Sequence, residues 1–214
     1  IDEQQLSKIN TFVQPYITKQ SAGGSAANTI FTAQLLGAKC HLSCKVGDDE
    51  NGSIFINELN QTNISHNYLS KQPTKEISGS CLVFITPDAE RTMCTFLGAS
   101  ATISPEDVNE EKINAAKICY VEGYLVSSPT GQQSAIRAFE YASQHNKKMG
   151  FTFSDINMIK FFKPQIEELL HFTPHYLFCN EQEALAYCDT SDLETAKEKL
   201  RHVAHTVIIT KGSE

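Results

Sequence analysis

The second half of the chain alternates short apolar runs with longer amphipathic stretches. Four runs, "KICYVEGY", "KKMGFTF", "PHYLFCN" and "HTVIIT", have the length and composition of buried strands. Helical periodicity fills the intervals between them, at about 129–145, 157–171 and 191–202. Because parallel neighbouring strands require crossover connections of this length, the pattern predicts βαβ units that build a parallel sheet.

The first half alternates less regularly. Helices are predicted near the start, over 25–36 with Gly37 as the stop, and in "DENGSIFINELN", where Asp48 or Asp49 can serve as the N-cap. Between the last two, "AKCHLSCKVG" alternates like a strand that ends at Gly47. Strand and helix therefore also alternate in this half.

A hairpin is predicted in the middle of the chain. In "ISGSCLVFITPDAERTMCTFLG", two β-rich runs flank turn residues at 87–90. A hairpin has no natural place inside a parallel sheet, so we expect the region at about 64–98 to project as a small lid or as an oligomer contact.

Length and charge narrow the class of protein. The chain has 214 residues, 41% of them apolar, which fits a single α/β domain over 1–214. A net charge of −7 without a Lys/Arg cluster argues against a nucleic-acid partner, although a small anionic ligand stays compatible with it. Neither a membrane-spanning apolar run nor a signal segment is seen, so no membrane partner and a cytoplasmic location are predicted.

Cysteine and histidine usage argues against a metal centre. The seven cysteines include no CxxC pair and lie mostly among apolar neighbours, which predicts reduced, buried thiols. The seven histidines lack metal-ligand spacing. The sequence therefore predicts no site at which protein side chains alone hold a metal ion.

The segment "SAGGSAANTIFTAQLLGA" places Gly23 and Gly24 directly before a predicted helix. Such a turn can cap the helix, cradle a phosphate or let a ligand approach the main chain, and Asn28 follows one helical turn later. Because the spacing is not GxGxxG and the lysine of a P-loop is missing, dinucleotide and Walker-type sites are disfavoured. A tight turn followed by an exposed Asn explains the segment equally well.

The carboxyl ends of the predicted strands are the second place to search for a site, because ligands of parallel α/β sheets bind there. The residues at these ends are Gly47 and Asp48, Glu122 to Tyr124, Ser154 and Asp155, Asn180 to Glu183, and Thr210 to Gly212. Each of these groups also has a purely structural explanation. Glu122 and Tyr124 can serve in packing at the end of the sheet, and Asp155 can cap the helix that follows it. Asn180 and Glu183 can be an N-cap and part of an acidic first turn.

Three segments resemble one protein family. "AGGSAANTIFTAQLLGAKCHLSCKVGDDENG" resembles the first signature of the ribokinase-like, or PfkB, sugar and nucleoside kinases, "FCNEQEALAY" their Asn-x-x-Glu motif, and "VIITKGSE" their Thr-x-Gly turn. "ITPDAERTMCTFLGAS" is similar to the adenosine-kinase-like members. The resemblance implies a doubly wound, mostly parallel sheet flanked by helices, with a small β-hairpin lid.

The resemblance also implies ATP-dependent phosphorylation of a hydroxyl of a sugar or nucleoside. On the acceptor side, Gly23, Gly24 and Asn28 are expected to hold substrate hydroxyls, which must be paired when buried. Arg91 is expected to reach the substrate or a phosphate, with an exposed rim charge as the alternative.

On the nucleotide side, the resemblance assigns Asn180 and Glu183 to Mg²⁺, its waters and the triphosphate, without direct metal ligation by the protein. Thr210 and Gly212 are expected to lie against ATP.

Two parts of the family pattern are not found in the sequence. The family's catalytic Asp lies in a Gly-Ala-Gly-Asp segment, expected beyond Glu214, and its first strand is expected before Ile1. The chain as given is therefore expected to be incomplete at both ends and inactive alone, or part of a kinase of about 300 residues.

Several alternatives stay open. One is a non-catalytic sugar- or nucleoside-binding protein that retains the fold, and another is adenosine kinase specifically. A nicotinamide-dependent oxidoreductase is weaker, because it would need GxGxxG after the first strand. The identity of the sugar or nucleoside is not assigned, and a homodimer through the hairpin is a further expectation.

Overall fold

The chain forms two compact units, Ile1–Ile103 and Ser104–Glu214. The structure is a computed structural model that describes residues 1–69 and 71–212. Ser70, in the predicted hairpin region, and Ser213 and Glu214, at the end of "VIITKGSE", lie outside the described residues. The assignment of both units to one domain over 1–214 stays a prediction.

The described part of the first unit contains three α-helices and two small two-stranded sheets. The elements are α1 (Glu3–Val13), α2 (Ser25–Leu35), α3 (Glu50–Gln61), β1 (His41–Leu42), β2 (Ser65–His66), β3 (Ser80–Ile85) and β4 (Arg91–Phe96). Strand β1 pairs in parallel with β2, and β3 pairs antiparallel with β4. Leu59 and Ile64 are fully buried in a small core that also includes Ala27 and Leu42.

Helices α2 and α3 begin and end within about one residue of the predicted positions, and α1 is the helix predicted near the start of the chain. In α1, Asp2 and Gln5 form a reciprocal capping box, with bonds of 2.7 and 2.9 Å. Helix α2 ends just before Gly37, whose φ of +90° favours glycine. Of the two candidate caps for α3, Asp49 is the one used: its carboxylate accepts the Gly52 N–H at 2.8 Å.

The strand predicted for "AKCHLSCKVG" is much shorter than expected. Only His41–Leu42 is a strand, because side chains bind the backbone groups that follow. The Asn67 amide accepts the Cys44 N–H at 3.2 Å and donates to the Cys44 carbonyl at 2.8 Å. The Tyr68 hydroxyl accepts the Val46 N–H at 2.9 Å. Side chains from the segment after β2 thus replace the missing strand partner.

The predicted hairpin is confirmed. Strands β3 and β4 pair from Ser80 opposite Phe96 to Ile85 opposite Arg91, and the Thr86 N–H closes the turn onto the Glu90 carbonyl at 3.1 Å. With only two strands, much of the hairpin faces solvent. Its exposed apolar side chains are Val83, Phe84, Ile85 and Met93, with Ile85 70% exposed.

The second unit contains the predicted parallel sheet. Its strands are β5 (Ile118–Glu122), β6 (Lys148–Thr152), β7 (Tyr176–Asn180) and β8 (Thr206–Thr210), in the order β5-β6-β7-β8 with every pair parallel. Its helices are α4 (Glu110–Ala115), α5 (Pro129–Gln144), α6 (Ile156–Leu170), α7 (Glu181–Cys188) and α8 (Leu193–Leu200). Each strand-to-strand connection contains at least one helix, as the length of the predicted crossovers requires.

Apolar side chains from the strands and helices form the core of this unit. Phe139 of α5 packs edge-on against Phe151 of β6, with ring centroids 6.4 Å apart, and Phe151 packs edge-on against Phe153 at 6.1 Å. All three rings are fully buried. Burial of one such side chain stabilises a fold by about 1.5–3 kcal/mol. The three rings therefore contribute substantially to the stability of the sheet whose edge carries the candidate residues.

Cysteine burial is less uniform than predicted. Cys119, Cys179 and Cys188 are buried in the second unit, whereas Cys40, Cys44 and Cys94 are half-buried and Cys81 is exposed. Cys81 is exposed because β3 belongs to a sheet of only two strands. All seven lie within the described residues, and all are free thiols. Within the described ranges, no helix combines the length and hydrophobicity needed to cross a bilayer.

Candidate functional site

In the second unit, the candidate nucleotide residues meet at the carboxyl edge of the sheet. Asn180, the last residue of β7, pairs in register with Thr210, the last residue of β8. Glu122 of β5 likewise pairs with Thr152 of β6. The structure therefore brings together the "NEQE" segment and the "TKG" segment, which are separated by a two-helix crossover in the sequence.

Asn180 and Glu183 contact each other directly at the start of α7. The Asn180 side-chain oxygen accepts the Glu183 N–H at 2.8 Å, and the Asn180 N–H donates to Glu183 Oε2 at 3.0 Å. The Asn180 side-chain amide also donates to Glu183 Oε1 at 2.9 Å. The alternative interpretation of "NEQE" as a helix cap is thus realised, in the form of a reciprocal capping box.

Burial disfavours the ionised form of the Glu183 carboxyl group, and the capping box offsets this effect only in part. The residue is only 5% exposed, and its burial is the main cause that raises the pKa of Glu183 above its ordinary value, with a minor contribution from the charge of Asp155. The hydrogen bond from the Asn180 backbone acts in the opposite direction. A cation near this edge would favour the ionised carboxylate.

The donor set fits Mg²⁺ held mainly through water. Each Glu183 oxygen accepts one hydrogen bond from Asn180 and keeps a further lone pair. Across residues 1–69 and 71–212, no group of three or more His, Cys, Asp or Glu side chains is placed to hold a metal ion. Mg²⁺ commonly keeps several waters and takes few direct protein ligands, so a single buried carboxylate suits its outer shell.

Ser154 ties the ends of β5 and β6 together. It has a φ of +69°, which is uncommon for a serine, and its hydroxyl accepts the Gly123 N–H at 2.8 Å. A Cβ on Gly123 would lie 2.5 Å from the Phe153 carbonyl oxygen, so this approach requires glycine. The next residue, Asp155, caps α6 by accepting the Asn157 N–H at 2.7 Å, as predicted.

Thr210 and Gly212 leave the end of β8 open. Both are exposed, and Gly212 has a φ of +69° with no atom within 4 Å of a Cβ position. The left-handed backbone favours glycine here, while packing does not. The turn therefore offers main-chain groups and a threonine hydroxyl to a ligand at the edge that Asn180 shares.

In the first unit, Gly23, Gly24 and Asn28 lie at the start of α2. Gly24 is the N-cap with a φ of +115°, it provides no side-chain cap, and its carbonyl accepts the Asn28 N–H at 2.9 Å. Asn28 is exposed, and a Cβ on Gly23 would meet no atom within 4 Å. Packing does not require glycine at 23, so the open main chain is free to be approached by a ligand.

The Val-Gly-Asp-Asp segment after β1 is held by a hydrogen-bond network that has no signal in the sequence. Asp49 accepts the Ser78 N–H at 2.7 Å and the Ser78 hydroxyl at 2.7 Å, and that hydroxyl accepts the Gly47 N–H at 2.8 Å. Burial raises the pKa of Asp49, but hydrogen bonds from Ser78 and Gly52 outweigh it and lower the pKa overall. The Asp49 carboxylate is therefore occupied in shaping this loop.

Arg91 is the first residue of β4, paired with Ile85 and exposed. Its expected contact with substrate or phosphate stays a prediction.

Comparisons with known proteins agree on one family. A family model described as "pfkB family carbohydrate kinase" matches residues 10–214. Adenosine kinase of Saccharomyces cerevisiae is 28% identical over 212 residues, which cover 96% of this chain and 60% of the yeast protein. The chain thus spans less than two thirds of that relative's length.

Solved structures of an adenosine kinase and of a probable sugar kinase also resemble this chain. The adenosine kinase from Sinorhizobium meliloti matches with a TM-score of 0.90 and 28% identity, over 100% of this chain and 65% of that one. A probable sugar kinase from Rhizobium etli CFN 42 matches with a TM-score of 0.90 and 27% identity, over 99% and 63%. The ribokinase-like α/β fold and the resemblance to adenosine-kinase-like proteins are confirmed.

Proposed function

Because the chain belongs to the pfkB family of carbohydrate kinases, we propose that it takes part in ATP-dependent transfer of a phosphoryl group to a hydroxyl of a nucleoside or sugar. The observation that carries the proposal is the register of Asn180 with Thr210, which sets the Asn-x-x-Glu and Thr-x-Gly segments side by side at one sheet edge. This edge is where parallel α/β sheets bind nucleotides.

We assign the nucleotide side to four residues. Mg²⁺ bound with ATP supplies positive charge that neutralises the triphosphate and the charge developing on it. Glu183, fixed by Asn180, would accept hydrogen bonds from the water shell of the ion, and the open turn of Thr210 and Gly212 would contact the nucleotide. The raised pKa of Glu183 supports this assignment, because the bound cation would offset the burial of its charge.

We assign the acceptor side to the start of α2. The Asn28 amide can donate to one hydroxyl and accept from another, and the bare main chain at Gly23 and Gly24 lets a sugar ring approach closely. The positive end of the α2 dipole would favour the charge that develops on the attacking oxygen. No described residue is assigned the role of general base.

Among acceptors, adenosine is the first candidate. The yeast and Sinorhizobium relatives are named adenosine kinases, and "ITPDAERTMCTFLGAS" resembles that group. A sugar is the alternative, since a probable sugar kinase matches with the same TM-score.

Calorimetry and thermal unfolding test this proposal. We expect adenosine, but not ribose or fructose, to raise the unfolding temperature, because a ligand at 100 times its Kd stabilises the native state by about 2.7 kcal/mol. Asn28→Ala should weaken adenosine binding by roughly 5- to 100-fold, the effect of leaving a buried hydroxyl unpaired. Its unfolding temperature without ligand should not fall, because alanine is the better helix former.

Thr29→Ala is the matched control, since Thr29 is the next residue of the same helix and its hydroxyl bonds to the Ser25 carbonyl at 3.0 Å. Equal loss of binding in both variants would point to a helix effect and against a role for Asn28. Stabilisation by ribose or fructose and not by adenosine would favour the sugar alternative.

The hairpin is proposed to cover the bound acceptor. Its exposed apolar side chains, including Ile85 and Met93, support contact either with a nucleoside base or with a second copy of the chain. We propose separately that Arg91 lies near a phosphate when the hairpin covers the acceptor. A homodimer through β3 and β4 is a further, independent proposal. A cytoplasmic location likewise stays a prediction.

A further inference from the structure

The amino-terminal edge of the large sheet, opposite the proposed nucleotide edge, carries a histidine pair. His175 and His205 directly precede β7 and β8. Backbone bonds extend the strand pairing to them: the Thr206 N–H donates to the His175 carbonyl at 3.0 Å, and the His205 N–H to the Pro174 carbonyl at 3.1 Å. Their ring centroids are 5.1 Å apart with planes tilted by 39°. The two imidazoles are therefore cross-strand neighbours.

The His175 ring also binds the backbone of β6, the strand next to β7 at this edge of the sheet. Its Nδ1 accepts the N–H of Met149 in β6 at 3.2 Å, one residue before Gly150 pairs with Tyr176. The imidazole thus takes the place of a backbone carbonyl where the ladder between β6 and β7 has not yet begun. Because a backbone N–H can only donate, Nδ1 carries no proton, and the ring is neutral with its proton on Nε2.

This arrangement leaves His175 without a lone pair for a metal ion, since Nδ1 is occupied and Nε2 carries the proton. It also makes the ring sensitive to acid. A proton added at Nδ1 would remove the acceptor of the Met149 N–H and set two donors against each other. A bond that joins two strands would be lost.

The neighbouring charges act in the same direction. From β6, Lys148 lies near His175, with its ammonium group 3.2 Å from the hydroxyl of Tyr176 in β7, and from the start of β8 the neighbour is His205. Burial lowers the pKa of His175, and the positive charges of His205 and Lys148 lower it further. Both of the charged neighbours that lower this pKa, His205 and Lys148, are basic.

We propose that His175, Met149 and His205 form an acid-sensitive latch that holds the amino ends of β6, β7 and β8 together while His175 is neutral and releases them when it is protonated. The latch does not depend on the proposed kinase function. Its sign follows from the direction of the shift: the ring binds a proton less readily when the sheet is closed, so the latch is fully closed above the ordinary histidine pKa of about 6.5 and weakens as pH falls below it.

Hydrogen exchange of the Met149 amide, followed by NMR and corrected for intrinsic rates, tests the latch. Between pH 7.5 and pH 5.0 we expect its protection to fall, by a factor set by the difference in His175 pKa between the closed and the open sheet, each unit of which is worth tenfold. Phe151, in the middle of β6, reports opening of the whole sheet and should lose much less protection. In His175→Asn the side-chain oxygen can accept the same N–H without titrating, so the Met149 protection should stay nearly constant.

His202→Asn is the matched control, because His202 is an exposed histidine that precedes His205 by three residues and takes no part in the latch. It should respond to pH as the unmodified chain does. Equal Met149 protection at both pH values in the unmodified chain, or an undiminished loss in His175→Asn, would overturn the proposal.

A second measurement on the unmodified chain covers the case in which His175→Asn does not fold. The ¹⁵N shifts of the His175 ring should show Nδ1 without a proton at pH 7.5 and an apparent pKa below about 6.5. A proton on Nδ1 at neutral pH, or titration at or above that value, would contradict the latch.

Discussion

Replacing Glu183 by Gln is expected to weaken Mg²⁺-dependent ATP binding by about 10- to 100-fold, the usual effect of removing a group that orients the outer shell of a metal ion. The change removes the negative charge and leaves the shape of the side chain. Its negative charge is the feature that the proposed magnesium site uses and that a helix cap does not need.

Stability should change little in Glu183→Gln. Glutamine at this position can still accept the Asn180 backbone N–H and complete a capping box. It loses the bond from the Asn180 side-chain amide, which contributes about 1 kcal/mol, but it also removes a buried charge whose pKa burial has raised. Isothermal calorimetry with ATP, with and without Mg²⁺, and urea unfolding of the same samples measure the two effects separately.

The matched control is Glu181→Gln, in the first turn of the same helix. It removes an equal charge from the same end of the helix dipole but lies outside the capping box, so it should retain ATP affinity. If both variants bind Mg²⁺ and ATP as the unmodified chain does, Glu183 is a structural cap and nothing more.

Gly47→Ala is expected to destabilise the first unit by about 3 kcal/mol, at the upper end of overpacking effects. A Cβ at this position would lie 2.1 Å from the Glu76 carbonyl oxygen and 2.8 Å from the Ser78 nitrogen. Both contacts are backbone atoms, so no side chain can move aside. Relief of the clash would separate Gly47 from Ser78 and weaken the network around Asp49.

Gly23→Ala provides the comparison for this prediction. The same methyl group is added, yet no atom lies within 4 Å of it, so its unfolding midpoint in urea should match that of the unmodified chain. A Gly47→Ala variant as stable as Gly23→Ala would show that the loop around Gly47 is not packed as described.

The elements with local signals were predictable from the sequence. The capping box of Asp2 and Gln5, the stop at Gly37 and the turn between β3 and β4 all rest on residues within a few positions of each other. The parallel sheet was predictable for the same reason, because each crossover shows its strand, helix and length directly in the sequence.

Features that depend on distant residues were not predictable. Strand β1 stops early because Asn67 and Tyr68, more than twenty positions away, bind the backbone after it. Asp49 reaches Ser78 across 29 positions. No periodicity reveals such contacts, since a polar side chain that replaces a strand partner resembles any other loop residue.

The candidate site falls between these cases. The "NEQE" segment predicts both a helix cap and a role in binding Mg²⁺. The structure contains the cap, and the role in binding Mg²⁺ stays a prediction. The left-handed backbone of Ser154, which fixes the ends of β5 and β6 beside this segment, has no sequence signal, because the serine supplies a hydrogen bond in place of the conformational freedom of glycine.

The proposed acceptor and nucleotide residues are tested together by a crystal structure of the protein with adenosine, Mg²⁺ and a non-hydrolysable ATP analogue. We expect ribose hydroxyls within about 3 Å of the Asn28 amide or the backbone of Gly23 and Gly24. We also expect the analogue at the sheet edge formed by Asn180 and Thr210, with the water shell of Mg²⁺ facing Glu183. Adenosine bound away from the start of α2, or the analogue bound away from this edge, would contradict these assignments.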